Sequence, residues 1–471
     1  MNEQVLKLCE AVRSAGGRAM LVGGWVRDYL FGIISKDYDI EVYGIDPARL
    51  RSLLETLATV NTVGEHFSVY KLAFRSSENI SPTADLKPGV SKPKSQEGER
   101  FEIDVSVPRR ESKSGRGHRA FVIEGDPQMS FEEAARRRDF TINAILYDPL
   151  TDEFVDPFNG ADDLRQRVLR AVAADTFVED SLRVLRAVQF AARFEMTVDP
   201  CTVELCRGID LTDLPRERVW GEVEKLLTLA ERPSIGLDTA RALGVLDKLL
   251  PEIRALIGCQ VEADPERVLD AFTHMKHSLD EAARLTLDLS TSKRITVMLA
   301  VLCFDLGRPL AKSDDQSFDY GEASLGPARA VIKRFGIYTI DGYDVRAQAL
   351  ALVREHLKPQ RFYRERDRIT DGDFRRLAQR VNPDLLYRVA KAHRLGLSSS
   401  TIAEDWFIEK ARSLGVDQGP PAPLLLGRHL LKIGLAPGPR MGEILRLVYE
   451  LQLDGEVTSI EEALDATRRF I

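Results

Sequence analysis

The sequence predicts an α+β fold, with one sheet-bearing unit at the N-terminus and helices in nearly everything that follows. Three observations predict it. Short β-type runs alternate with helical segments from residue 19 to about 158. Beyond residue 160 apolar residues recur at spacings of three and four, as in DSLRVLRAVQFAARF and ERVWGEVEKLLTLA. The length of 471 residues exceeds one ordinary core, since roughly 150 residues make a domain. Composition shifts divide the chain into 1–158, a mixed unit, and three helical units at 159–262, 263–400 and 401–471.

Taken in order, MNEQVLKLCEAVRSAGG reads as an amphipathic helix. AMLV at 19–22, DIEVYG at 39–44, SVYKLAF at 68–74 and FEIDVSV at 101–107 are the expected strands. Between the last two, SSENISPTADLKPGVSKPKSQEGER has no apolar period and is expected to be a mobile excursion. Pro251 with the polar stretch 260–266 marks one later boundary and GLSSST at 396–401 another. PGPRMGEILRLVYELQLDG places Pro439 near the start of a helix and Gly455 just past its end.

Composition excludes several classes. With 44% hydrophobic and 30% charged residues the chain is not wholly disordered, and no apolar run approaches a membrane span. The acidic N-terminal helix lacks the basic start and cleavage site of a signal peptide, so a cytoplasmic location is expected. Cys9, Cys201, Cys206, Cys259 and Cys303 form no C-x-x-C pair and read as reduced core residues. A net charge of -7 counts against nucleic acid as a partner, but basic residues gather at 109–119, 136–138 and 165–193 and could line a positive cleft.

Chemistry concentrates in the first unit. LVGGWVRDYLFG sets Gly23 and Gly24 between a strand and a helix, where bare backbone can approach a phosphate. Arg27 follows one turn later, able to clamp a triphosphate. In KDYDIEVYG, Asp37 and Asp39 stand two apart, so an extended strand projects both carboxylates, and Glu41, from one face. Like charges held together call for a bridging cation, and an all-oxygen set suits Mg²⁺. Asp104 in FEIDV offers a further carboxylate. Each feature alone also fits an ordinary turn or a solvated strand face.

The combination of GG, an arginine three residues on, and D-x-D a short helix later resembles the nucleotidyltransferase superfamily that includes DNA polymerase beta. More closely it resembles the class II tRNA nucleotidyltransferase and bacterial poly(A) polymerase family, because ARRRDFTINAILYD, VDPFNGADDLRQRVLRAV and FVEDSLRVLRAVQFAARF follow in that family's order. The resemblance spans roughly residues 19–260. It implies a head with a polymerase-beta-like mixed sheet, then an all-α neck, body and tail. It implies that Gly24 and Arg27 contact the incoming nucleotide, that Asp37 and Asp39 hold the metals, and that Asp104 is another catalytic carboxylate. Arg138, Asp139 and Asn143 fall on the motif for ribose and triphosphate recognition, while Asp156 and Gly160 match the motif joining head to neck.

Within that resemblance Glu179, Asp180, Arg183 and Arg186 stand where the nucleotide base is read. On a helix, Asp180 and Arg183 are i,i+3 neighbours and Arg186 continues the face. Cytosine and adenine both present an amino donor beside a ring-nitrogen acceptor, so one carboxylate plus one guanidinium fits both. Guanine and uracil present the reverse and leave polar groups unpaired. The implied reaction is template-independent addition of CCA to the tRNA 3′ end from CTP and ATP, with Mg²⁺. A-only, poly(A)-forming and CC-only activities share these motifs. A catalytically inert RNA-binding relative would not need Asp37, Asp39 and Asp180.

Residues 263–400 resemble, more weakly, the HD phosphohydrolase domain. THMKHSLDEA offers His274 and His277, but Phe304 replaces the first residue of the His-Asp pair, and His393 stands where the last Asp belongs. Phe304 cannot bind a metal and His356 cannot restore the site, so a structural remnant is expected. After the Asp104 strand, PRRESKSGRGHRAF matches a loop that the family associates with the switch to ATP; Gly115 and Gly117 would give it mobility, and Arg109, Arg110 and Lys113 would reach phosphates. Oligomeric state is not encoded in any of these motifs.

Overall fold

A computed structural model describes residues 1–62, 69–74, 101–113, 121–264, 267–310 and 319–470. The expected excursion after residue 74 and the Gly115/Gly117 loop lie outside the described residues. The chain forms two compact units, one of Met1–Ala187 with Met196–Asp213 and one of Val188–Glu195 with Leu214–Ile471.

In the first unit α1 (Glu3–Ser14) starts on Asn2, whose side chain accepts from the Gln4 N–H. β1 (Arg18–Val22), α2 (Gly24–Leu30), β2 (Tyr38–Tyr43) and α3 (Pro47–Leu57) follow. Asp46 and Pro47 start α3, the first by accepting the Ala48 N–H at 2.9 Å and the second by its preset φ. Next come β3 (Thr59–Thr62), β4 (Val69–Phe74), β5 (Phe101–Ser106), β6 (Arg109–Lys113), β7 (Phe121–Gly125), α4 (Phe131–Arg136), β8 (Leu146–Asp148) and β9 (Glu153–Val155). The seven-stranded sheet has the order β3-β4-β5-β2-β1-β8-β9. Among the described residues of this sheet only β2 and β5 pair in parallel, with Asp39 beside Asp104 and Tyr38 beside Ile103.

Alternation along these strands separates core from chemistry. Leu21, Ile40, Val42, Ile103 and Val105 point to one face, where Leu8, Val12, Leu50 and Leu54 of α1 and α3 bury them. Met20, Val22 and Tyr43 take the other face with Ala134 and Ala135 of α4. Asp39 and Asp104 belong to this second face. β6 and β7 form a separate antiparallel hairpin, so the arms of the segment expected to be a loop are strands.

After α5 (Gly160–Arg165) the described residues are mainly helical, with two short ladders among the helices. β10 (Val168–Leu169) pairs in parallel with β11 (Thr197–Val198), and Gln260–Asp264 pairs antiparallel with Arg267–Asp270. The polar stretch expected at 260–266 as a boundary is therefore partly a strand, too short and too charged to show a period. α6 (Ala174–Phe177) and α7 (Leu182–Arg193) precede β11, and α8 (Pro200–Gly208) follows it. No helix among the described residues is long and apolar enough to cross a membrane. No disulfide joins any of the five cysteines, but Cys201 is exposed and Cys259 half-buried, so only Cys9, Cys206 and Cys303 are core residues as expected.

In the second unit His274, His356 and His393 of the HD-like stretch pack inward, while His277 is exposed. His274 Nδ1 lies 2.6 Å from Asp305 Oδ2 and its Nε2 lies 3.1 Å from the His393 carbonyl. Phe304 stacks on His356 with ring centroids 5.3 Å apart and touches both other rings. His393 Nε2 is buried without a hydrogen-bond partner. Burial pushes the His356 pKa down to about 4 and holds His393 well below its ordinary value. A histidine kept neutral in the fold but free to protonate when unfolded contributes stability above pH ~6.5, and that stability disappears as the pH falls towards the folded-state value. We expect melts to lose about 3 kcal/mol of stability between pH 6.5 and 4 from His356 alone. His356→Phe should flatten that slope, and a parent protein equally stable at pH 7 and 5.5 would contradict the assignment.

Candidate active site

Gly23 ends β1 with φ +67, a conformation that L side chains rarely adopt. A Cβ there would stand 3.1 Å from Arg138 Nη1 and 3.8 Å from Asp39 Oδ2, so the bare backbone, the guanidinium and the carboxylate share one small space. Gly24 opens the seven-residue α2. Asp39 is exposed at the surface of β2 and Asp37 lies just before the strand begins, also exposed. Asp104 is half-buried on β5, and Lys71 Nζ on β4 lies 3.2 Å from its Oδ1.

Desolvation by the surrounding sheet raises the Asp39 pKa, Arg138 opposes it, and the neighbouring Asp104 and Asp37 raise it further. Because Asp39 stays open to solvent, the like-charge repulsion is the more telling cause. A cation relieves that repulsion. Among the described residues no three His, Cys, Asp or Glu side chains close into a metal cage. Two carboxylates on adjacent strands nevertheless match a hydrated hard cation, which takes its other oxygens from water and phosphates. The donor set thus fits a divalent metal held with the nucleotide.

Arg27, expected to clamp phosphates, is buried. Its Nε and Nη2 donate to Asp28 Oδ1 at 2.9 and 2.7 Å, and its Nη1 donates to Asn143 Oδ1 at 2.8 Å. Asn143 in turn donates to Asp139 Oδ1 at 3.0 Å, and Arg186 Nε donates to Asp139 Oδ2 at 2.6 Å. Four of the expected residues therefore form one buried relay from α2 to α7. Burial alone would raise the Asp139 carboxyl, but Arg186, Asn143 and the Phe140 N–H together hold it below the usual carboxylate range. Such a network specifies geometry more than it binds ligand in this state.

The residues expected to read the base are arranged differently from the expected i,i+3 pair. α7 begins only at Leu182, so Asp180 precedes the helix, and its Oδ1 accepts the Leu182 N–H at 3.1 Å. Ser, Asn and Asp favour such capping over helix interiors, and the apolar period of LRVLRAVQF alone does not reveal where the first turn starts. Arg183 donates through Nη1 to the Thr176 carbonyl and through Nη2 to the Arg137 carbonyl, both at 2.6 Å. Glu179 is half-buried beside this turn.

Much of the expected positive cleft is spent on internal pairs. Arg136 meets Asp175, Arg137 meets Glu41, and Arg170 meets Asp163 and Asp199. Sequence reasoning also passed over Lys71. Its signal was available: in SVYKLAF it is the one charged residue, on the face opposite the leucine.

Residues 19–170 match the poly A polymerase head domain, and residues 196–257 match the probable RNA and SrmB-binding site of polymerase A. A multifunctional CCA protein of Xanthomonas oryzae pv. oryzae is 34% identical over 440 residues, 90% of this chain and 95% of that one. The chain belongs to the tRNA nucleotidyltransferase and poly(A) polymerase family. Solved structures share the fold. The Bacillus stearothermophilus CCA-adding enzyme in complex with CTP superposes with a TM-score of 0.62 at 18% identity, covering 100% of this chain and 99% of that one. The Thermotoga maritima CCA-adding enzyme complexed with tRNA gives 0.59 at 19% identity, covering 100% and 96%. Family membership brings a divalent metal into the chemistry, in keeping with the Asp39 and Asp104 pair.

Proposed function

We propose that this chain adds CCA to the 3′ end of tRNA in the cytoplasm, taking CTP and ATP as substrates without a nucleic-acid template and using Mg²⁺. The observation that carries the reading is the placement of Asp39 and Asp104 side by side on β2 and β5, with Asp39 sharing the space over the Gly23 backbone with Arg138. A relative that matches 90% of the chain is called a multifunctional CCA protein, and the solved relatives include CCA-adding enzymes with CTP, with ATP and with tRNA.

The tRNA 3′-hydroxyl oxygen attacks the α-phosphorus, a new P–O bond forms, and the bond to the departing pyrophosphate breaks as the hydroxyl proton passes to solvent. Asp37, Asp39 and Asp104 are the carboxylates that would hold Mg²⁺, which when bound acidifies the hydroxyl and neutralises developing charge. Gly23 lets phosphate oxygens approach the backbone, and Arg138 offsets their charge. Lys71 holds Asp104 in place. Arg27, Asn143, Asp139 and Arg186 tie α2 to α7, and Gly24 contacts the nucleotide through its backbone. Glu179, Asp180 and Arg183 select the base. A guanidinium carries more N–H donors than the two given to carbonyls, so Arg183 can still offer one to an acceptor on the base.

Incubating the protein with tRNA lacking its last three nucleotides, with CTP and ATP separately and together, tests the reading on one gel. Complete CCA addition is expected. Addition of A to tRNA ending in CC, but of no C to shorter ends, would replace it with the A-only activity; C addition that never proceeds to A would replace it with the CC-only one. Asp180→Ala combined with Arg183→Ala should reduce discrimination against UTP and GTP by about 10- to 100-fold, the loss of roughly 1–3 kcal/mol of paired polar contacts. Undiminished exclusion of both nucleotides in steady-state competition would mean that other groups read the base.

A further inference from the structure

Glu41 is a charged residue on the second face of β2 that the chemistry above does not use, and at 1% exposure it is fully buried. A buried carboxylate persists only where partners compensate its lost hydration. Here they are specific. Its Oε1 accepts from Arg137 Nη2 at 2.7 Å, its Oε2 accepts from the Tyr43 hydroxyl at 2.8 Å, and Arg138 Nη2 stands 3.7 Å away. Burial, followed by the Glu41 charge, pushes the Tyr43 hydroxyl pKa up, which keeps it a donor.

Arg137 closes the end of α4, and its own carbonyl accepts from Arg183 Nη2 at 2.6 Å. The second acceptor of Arg183, the Thr176 carbonyl, belongs to a residue whose Oγ1 donates to the Arg136 carbonyl at 2.9 Å. A short chain of bonds thus runs from the strand carrying Asp39, through one buried carboxylate and one turn of backbone, to the guanidinium proposed to read the base.

We propose that Glu41 is a positioning residue that, through Arg137, fixes the carbonyl holding Arg183 and so sets the base-selecting guanidinium relative to the Asp39 strand. The inference rests on the nucleotide-selecting role given to Arg183 above. Glu41→Gln keeps the volume but presents a neutral amide, so Arg137 loses its charge-assisted bond and Tyr43 and Arg138 face an added donor. The pair acts as a unit, so its members should not contribute independently.

The test uses the full-length protein and two readouts, kcat and KM for CTP and UTP addition to shortened tRNA, and competitive binding of CTP against UTP without tRNA. Glu41→Gln should lower the CTP-over-UTP preference about tenfold in both readouts, with a melting temperature close to the parent's. Arg137→Met, altered at a half-buried position, should do the same, and the double variant should be no worse than either single one. An unchanged preference in a folded Glu41→Gln or Arg137→Met protein, or fully additive effects, would overturn the proposal. If the parent adds no nucleotide at all, the proposed function fails, and the binding preference still decides the role of Glu41.

Discussion

Asp39→Ala is expected to abolish nucleotide addition while leaving tRNA affinity nearly unchanged. Asp39 stands beside Asp104 on the neighbouring strand, and their mutual repulsion helps raise its pKa. Like charges held side by side on adjacent strands favour a bridging cation. Removing one ligand forfeits several kcal/mol of transition-state stabilisation. At about 1.4 kcal/mol per factor of ten, a rate loss of about 10³-fold follows. The binding of tRNA draws on many phosphate contacts, and one carboxylate near the 3′ end adds little to them. A filter-based incorporation assay with activity within about tenfold of the parent would dismiss the metal assignment. A large loss of tRNA affinity would show instead that Asp39 shapes the RNA surface.

The second large effect is expected from Gly160→Ala, by a purely steric route. Asp156 accepts the N–H groups of Gly160 and Ala161 at 2.8 and 2.9 Å and thereby starts α5. A Cβ on Gly160 would lie only 2.1 Å from the Thr141 carbonyl oxygen and 2.6 Å from its carbon. Neither backbone can yield freely. Thr141 is held by its N–H to the Arg170 carbonyl at 3.0 Å and by its Oγ1 to Asp163 at 2.7 Å. Overpacking against main chain belongs at the top of the usual range, about 3 kcal/mol. Activity should fall as well, because Asp139 and Asn143 flank the displaced residue. Urea unfolding should show the loss, and a change below about 1 kcal/mol would mean that α5 slides without resistance.

Particular residues show how far sequence reading reached. The strand with Asp39 and the strand with Asp104 were legible from alternation, because one sheet face is buried and the period of two reports it. The α+β division was legible for the same reason: apolar period changes from two to 3.6 near residue 160. β3, β8 and β9 are four, three and three residues long, too short for any period to register. Its place one turn after Gly23 and Gly24 marks Arg27 as a phosphate clamp. Its burial against Asp28 and Asn143 depends on a residue 116 positions away.

By itself the sequence determined which chemistry the protein carries. Residue types and local spacing settle which side chains share a strand face, which glycines bare the backbone, and which family the ordered motifs belong to, since all of these depend on neighbours a few residues apart. Only the tertiary structure decided which of the charged residues remain available for that chemistry. Glu41 and Asp39 are two apart and share a face, yet Arg137 closes over the first and leaves the second open. Arg183 and Asp180 look like a ready pair, yet the helix begins between them and the guanidinium turns to two carbonyls. Ion pairing and burial join residues distant in the chain, and their energies depend on separations that no local pattern encodes.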